Sequence, residues 1–348
     1  MSHHYLALFL VVPIGLFAAC ASKKGEDAQS GGGNSAPGTN QPGAPGSGPS
    51  GTSGGSTTPD PTDPIAGIAE AKILLDTGAY TDGPIWSAKE GVLFFTTPLG
   101  QSGLYRVKPD GTASKVMDGD PTTGAQPIGN TLDKAGNLIM VEAKRIMKNN
   151  AAGAPTAIAT GYDNGDAGVA TFDTLNDAVV GSTGTIYATD PGYFDTPIAN
   201  RIFRITAAGK VVVVETFDDV PRPNGIALTP DGKGLYVGFT EPIQGAKPFI
   251  RKYLVNADGT LGTKATFVEL DMDAQPDGIE VDQAGNVFVA TKSGIAVYKA
   301  DATKIGVVAV PEQPTAMAFG GKDLKTLYIT TQGTRIFQVT LNVAGIVQ

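Results

Sequence analysis

Pro276-Asp277-Gly278-Ile279-Glu280-Val281 is a turn followed by an apolar run, and the same pattern recurs at five other places in the chain. Beneath it can be set Thr81-Asp82-Gly83-Pro84-Ile85-Trp86, Pro127-Ile128-Gly129-Asn130-Thr131-Leu132 and Leu175-Asn176-Asp177-Ala178-Val179-Val180. Pro223-Asn224-Gly225-Ile226-Ala227-Leu228 and Pro314-Thr315-Ala316-Met317-Ala318-Phe319 complete the set. Its second column reads Asp82, Ile128, Asn176, Asn224, Asp277 and Thr315, at successive intervals of 46, 48, 48, 53 and 38 residues. Intervals of about 40 to 50 residues mark an array, and strand-rich units of that length are propeller blades.

Each interval holds further strands. A second apolar run follows the first at residues 92–96, 138–141, 186–189, 235–239, 287–291 and 327–331. A third alternates apolar and polar residues, as in Leu104-Tyr105-Arg106-Val107 and Ile336-Phe337-Gln338-Val339. A fourth is present in every unit but the last, where the chain ends. Lys72 to Leu75 can supply it, closing the ring and leaving no long unpaired edge. The expected fold is therefore all-β: a six-bladed propeller of four-stranded blades, first strands lining the channel, closed by an N-terminal strand. No stretch of twelve or more residues carries a clear helical period.

The chain divides by composition. Residues 1–20 hold a mostly apolar run from Tyr5 to Ala19, too short to span a bilayer, which needs about 20 residues. It reads as an export signal, and Phe17-Ala18-Ala19-Cys20 resembles a bacterial lipobox, which implies lipidation of Cys20. A plain signal peptide cut near Ala19 is the alternative. Residues 21–65 are dominated by Gly, Ser, Pro and Thr and read as a disordered tether with a reach of roughly 35 Å. Residues 66–348 carry the repeats. The expected location is the bacterial periplasm or cell surface, with the membrane met only through a lipid anchor. Net charge is −8 and no basic track is present, which excludes nucleic acid as a partner.

The two histidines are His3 and His4, both in the segment expected to be removed, and Cys20 is the single cysteine. A Ser-His-Asp triad, a Cys-His pair and a histidine or thiolate zinc site are thereby excluded. What remains is oxygen chemistry. Four of the six column positions bear a carboxylate or amide oxygen, Asp82, Asn176, Asn224 and Asp277, and equivalent points on six blades converge on one axis. Two carboxylates with two amide carbonyls suit a hard cation such as Ca²⁺. Asn-Gly and Asp-Gly are also ordinary turn dipeptides. Ile128 and Thr315, however, occupy the same place without an Asx side chain. Asp110, Asp231 and Asp258, each before Gly at a strand-joining turn, keep the turn reading.

Asp82-Gly83-Pro84, Asn176-Asp177, Thr189-Asp190-Pro191, Pro223-Asn224-Gly225 and Pro276-Asp277-Gly278 together resemble the SMP-30/gluconolactonase/LRE-like family, over residues 71–339. The resemblance implies a six-bladed propeller with one divalent ion in the channel. Its usual ligands land on Asp82, Asn224 and Asp277, and Asn176 matches a further Asn that touches ion or substrate. Asp82 stands where the family has Glu, one methylene longer. A histidine found in the channel of some relatives is absent, which favours lactone over organophosphate substrates. The implied activity is ion-dependent opening of a small-molecule sugar-acid lactone, with Asp277 as general base and Tyr193 or Phe194 walling the pocket. The alternative is a non-catalytic, surface-displayed propeller that binds sugar or cell-wall material at the same mouth.

Overall fold

The computed structural model describes residues 63–346 apart from 69, 121, 150–153, 194–199, 218–221 and 241–245. Residues 1–62, Cys20 among them, and Phe194 lie outside the described residues.

Six antiparallel four-stranded sheets follow one another along the chain. Their inner strands are Asp82–Ser87, Pro127–Leu132, Ala178–Val180, Arg222–Leu228, Ile279–Val281 and Pro314–Gly320. The first blade continues outward through Val92–Thr97, Gly103–Val107 and Ala113–Asp118, and the others repeat that meander. The sixth blade is completed by Lys72–Asp76, antiparallel to Arg335–Thr340, so the two ends of the ring are stitched into one sheet. A small hairpin, Tyr162–Asp163 with Val169–Ala170, and one 3₁₀ turn, Gly165–Ala167, were not signalled by the repeat. At the N-terminal boundary Ile65, expected in the tether, packs against the apolar core of the last two blades.

Apolar packing explains why the ring closes. Each pair of neighbouring blades shares a core: Ile85, Phe94, Leu104, Leu132 and Met140 join the first to the second. Trp86, Phe95, Ala318, Tyr328 and Ile336 join the sixth back to the first. The Trp86 and Tyr328 rings stack across that seam at 5.5 Å. A sheet covered on both faces cannot show the alternation of a half-buried one. Accordingly Val92–Thr97 and Gly234–Thr240 are buried at every residue, whereas the outermost strand Ala113–Asp118 is largely exposed.

At the centre the inner strands press so close that side chains are excluded. A Cβ on Gly83 would lie 2.2 Å from the Ile128 carbonyl oxygen, one on Gly129 2.4 Å from that of Asn176, and one on Gly225 2.2 Å from that of Asp277. Of these three glycines only Gly83 has a left-handed φ, +48°. The glycine after the column residue is thus required mainly by blade-to-blade approach, rather than by the turn that sequence suggested. Threonine hydroxyls tie carbonyls of column residues across blades, Thr96 Oγ1 to Ile128 O at 2.6 Å and Thr189 Oγ1 to Asn224 O at 2.7 Å.

Candidate active site

The column residues stand where strand pairing breaks. The inner-strand register shifts between Asp82 and Ile85, Pro127 and Gly129, Pro223 and Ile226, and Pro314 and Met317. In the third and fifth blades pairing starts only after Asn176 and Asp277. A proline one residue earlier withholds an N–H from the ladder in four blades, and a bulge there turns the next side chain out of the sheet.

Asp82, Asn176, Asn224 and Asp277, from four different blades, line one central cavity of about 30 Å³, enough for an ion or one or two waters. Backbone bonds hold them there. Asn176 N donates to Thr189 O at 2.9 Å, Asp277 N to Ala290 O at 3.0 Å, and Gly278 N to Thr315 O at 2.8 Å. Asp190, fully buried, accepts from Asp173 N and Thr174 N, both at 2.8 Å, and so fixes the loop that delivers Asn176. The two column positions without a carboxylate or amide serve packing: Ile128 is buried, and the Thr315 hydroxyl donates to Thr81 O at 2.8 Å. Asp110, Asp231 and Asp258 cap their own turns, accepting from Thr112 N, Lys233 N and Thr260 N.

The cavity is short of positive charge. Burial pushes Asp82 up to about 6, against the pull of bonds from Gly83 N at 2.8 Å and Tyr80 Oη at 3.4 Å. Burial pushes Asp177 to about 7, despite bonds from Ala178 N and Ile226 N, and the Asp82 charge adds to the rise. Oδ1 of Asn224 is buried without a hydrogen-bond partner, as is Oδ1 of Asn130 in the same cavity. A buried amide oxygen without a donor costs about 1–3 kcal/mol. A cation would satisfy such an oxygen and draw both carboxyls back to their charged forms. Among the described residues no group of three or more His, Cys, Asp or Glu gathers as a metal cluster. The converging donors here are mixed carboxylate and amide, which fits a hard oxygen-seeking cation.

Four residues of this region were not signalled by the column alone. Asp177 takes the place that Gly holds in four other blades, and a carboxyl in that slot was visible in the alignment. Asn130, two places past Ile128, donates to Gly83 O at 2.6 Å. Tyr80 lies within electrostatic reach of Asp82, Asp277 and Tyr193, and burial with those neighbours lifts its phenol well above the usual range. Arg222 sets its guanidinium 4.7 Å above the Tyr193 ring. Tyr80 and Arg222 each stand two residues before a column residue, outside the six-residue motif, and folding sets them near Tyr193.

The family model described as SMP-30/Gluconolactonase/LRE-like region matches residues 80–333. The chain belongs to this family. Among its curated members, the pentonolactonase XacC of Haloferax volcanii is 30% identical over 259 residues, covering 72% of this chain and 81% of that protein. The gluconolactonase of Zymomonas mobilis is 25% identical over 284 residues, covering 72% and 76%. Among solved structures, a gluconolactonase from Xanthomonas campestris superposes with a TM-score of 0.67 at 23% identity, covering 80% of this chain and 91% of that one. That last likeness speaks for the propeller fold alone.

Proposed function

We propose that this SMP-30/gluconolactonase/LRE-like protein is a divalent-cation-dependent lactonase that opens a sugar-acid lactone. The observation carrying this reading is the convergence of Asp82, Asn176, Asn224 and Asp277 on one small cavity in which Asn224 Oδ1 has no partner. The lactonase names of its curated relatives support the substrate class.

Asp82, Asn176, Asn224 and Asp277 would hold Ca²⁺. The chemistry such a cation supplies when bound is polarisation of a carbonyl and a lowered pKa for water. Asp277, half-buried rather than sealed in, takes the proton from the attacking water as general base. A carboxylate is a weak base, so the ring ester of a lactone is the kind of electrophile it can serve. Water adds to the carbonyl carbon, the bond to the ring oxygen breaks, that oxygen takes back the proton held by Asp277 and leaves as a hydroxyl, and the new carboxylic acid gives its own proton to solvent. Tyr80 stays protonated and its hydroxyl steadies Asp82. Tyr193 walls the mouth under Arg222. Residues 1–20 would direct export and Cys20 would carry the lipid anchor, placing the propeller in the periplasm or on the cell surface.

The test is turnover of a panel of aldonolactones by the purified protein with and without chelator, beside Asp277→Asn. Hydrolysis that chelator abolishes, and that Asp277→Asn loses by about a hundredfold or more without unfolding, is expected. Turnover indifferent to chelator would remove the cation from the reaction. No turnover on any lactone would leave a binding propeller.

A further inference from the structure

The second blade offers no side-chain oxygen at its column position, Ile128, and of its inner strand Pro127–Leu132 only Gly129 and Asn130 reach the wall of the central cavity. Asn130 is therefore the one side chain this blade contributes there. It is 5% exposed. Its Nδ2 donates to Gly83 O at 2.6 Å, across the gap between the first two blades. The side chain is thus placed by a bond and not by strand alternation, which the bulge between Pro127 and Gly129 interrupts. That bond also sets the sense of the amide. Turned over, it would press two acceptors, Oδ1 and Gly83 O, against each other. Oδ1 accordingly points away from Gly83, and it has no partner.

Its neighbours are already engaged. Asp82 accepts from Gly83 N and Tyr80 Oη, and Asp177 from Ala178 N and Ile226 N. In the sixth blade the Thr315 hydroxyl bonds to Thr81 O and Thr330 Oγ1. Asn130 and Asn224 are left with buried amide oxygens that accept nothing. One such oxygen is costly to bury, and two lining a space of about 30 Å³ call for a single guest that satisfies both. Charge decides between a water and a cation. Asp82, Asp177, Asp277 and Glu280 all line this cavity, and among the described residues lining it there is no lysine, arginine or histidine. A calcium ion takes about 6 to 8 oxygens, more than four column side chains supply singly. A neutral amide adds one without adding to the negative charge.

We infer that Asn130 Oδ1 is a further ligand of the cation, so that five of the six blades hold one ion. This rests on the cation site of the reading above and adds to its ligands. The two ends of the amide then act together: Oδ1 meets the ion, and Nδ2 locks the Asp82-Gly83 peptide of the next blade against it.

The test reads the ion itself, so it does not depend on turnover. Tb³⁺, another hard oxygen-seeking cation, stands in for Ca²⁺ and reports the waters bound to it through luminescence lifetimes in H₂O and D₂O. Asn130→Leu, close in volume and without a polar atom, should leave about one more water on the ion than wild type and weaken calcium binding about tenfold or more by calorimetry. Asn130→Asp keeps an oxygen at the same reach while its ionised form lacks the amide donor. It should keep the wild-type water count and bind calcium more tightly than Asn130→Leu. An amide that serves only to tie the blades predicts otherwise: both variants lose the bond to Gly83 O, so both would weaken calcium binding alike and leave the water count unchanged. Melting temperatures verify that the variants fold, and the wild type gives a check independent of them. In crystals grown with calcium, Asn130 Oδ1 should stand about 2.3–2.6 Å from the ion. An Oδ1 beyond about 3.5 Å with water between, an unchanged water count in folded Asn130→Leu, or Asn130→Asp as weak as Asn130→Leu overturns the inference. If wild type binds neither Ca²⁺ nor Tb³⁺, the cation site and this ligand fall together. If the ion binds without Asn130, only the ligand falls. If Asn130 holds calcium and no lactone is hydrolysed, the hydrolase falls and the ligand stands.

Discussion

Gly225→Ala tests whether the ring's tight centre sets the site. A Cβ at this position would stand 2.2 Å from Asp277 O, 2.7 Å from Gly278 Cα and 2.8 Å from Gly278 C, against 3.4 Å or more in ordinary contact. Every one of those atoms is backbone, so no side chain can swing away. The fourth and fifth blades must part by about 1 Å, at an overpacking cost of about 1–3 kcal/mol. Asn224 and Asp277 flank that gap, so the oxygens they offer separate too. A shift of that size is expected to weaken calcium binding by about tenfold or more. Gly232→Ala is the control: Gly232 has φ +66° and nothing within 4 Å of the added methyl. There the left-handed backbone alone costs about 1–2 kcal/mol. Urea unfolding of both variants, with calcium titrated calorimetrically, separates the two effects. Gly225→Ala should lose stability and affinity, Gly232→Ala stability alone. A Gly225→Ala protein that binds calcium like wild type would refute the link between blade spacing and the site.

Other consequences are equally direct. A chain beginning at residue 77 lacks the pairing of Lys72 with Gln338 through Asp76 with Arg335, and should lose about 3 kcal/mol or more and aggregate through the bared edge of the sixth blade; a chain beginning at residue 63 that melts no higher would contradict the closure. For Asp133, burial works to raise the carboxyl, but bonds from Asn137, Lys148 and Ala135 outweigh it and hold the group at about 2, below its ordinary 3.8. Its stabilisation is present above about pH 4 and fades as pH falls toward 2, so the stability gap between wild type and Asp133→Asn should narrow over that window, and a gap constant with pH would exclude this origin. Cys20→Ser should release the protein from membranes into the soluble fraction and abolish fatty-acid labelling; a labelled variant would place the anchor elsewhere.

How much of this was legible beforehand differs by residue. Asp82, Asn176, Asn224 and Asp277 were readable because a closed ring carries equivalent positions to equivalent places, so one column of an alignment is one ring of side chains. Gly225 was readable as a residue but not for its reason. A turn and a close approach both call for glycine, and the blade spacing that separates them is a property of packing. Asp177 broke the glycine pattern in plain view, yet its bond to Ile226 N in the next blade exists only once blades are adjacent.

Period and composition determined the architecture of this protein by themselves: six strand-rich units, each with two faces to bury, have few ways to do so other than a closed ring. The same repeat determined which oxygens could meet. Only the tertiary structure decided how near they come and what stands over them. Cavity size, the orphaned Asn224 oxygen, and the Tyr80, Tyr193 and Arg222 rim all arise from contacts between segments distant in the chain, and local sequence holds no record of such distances.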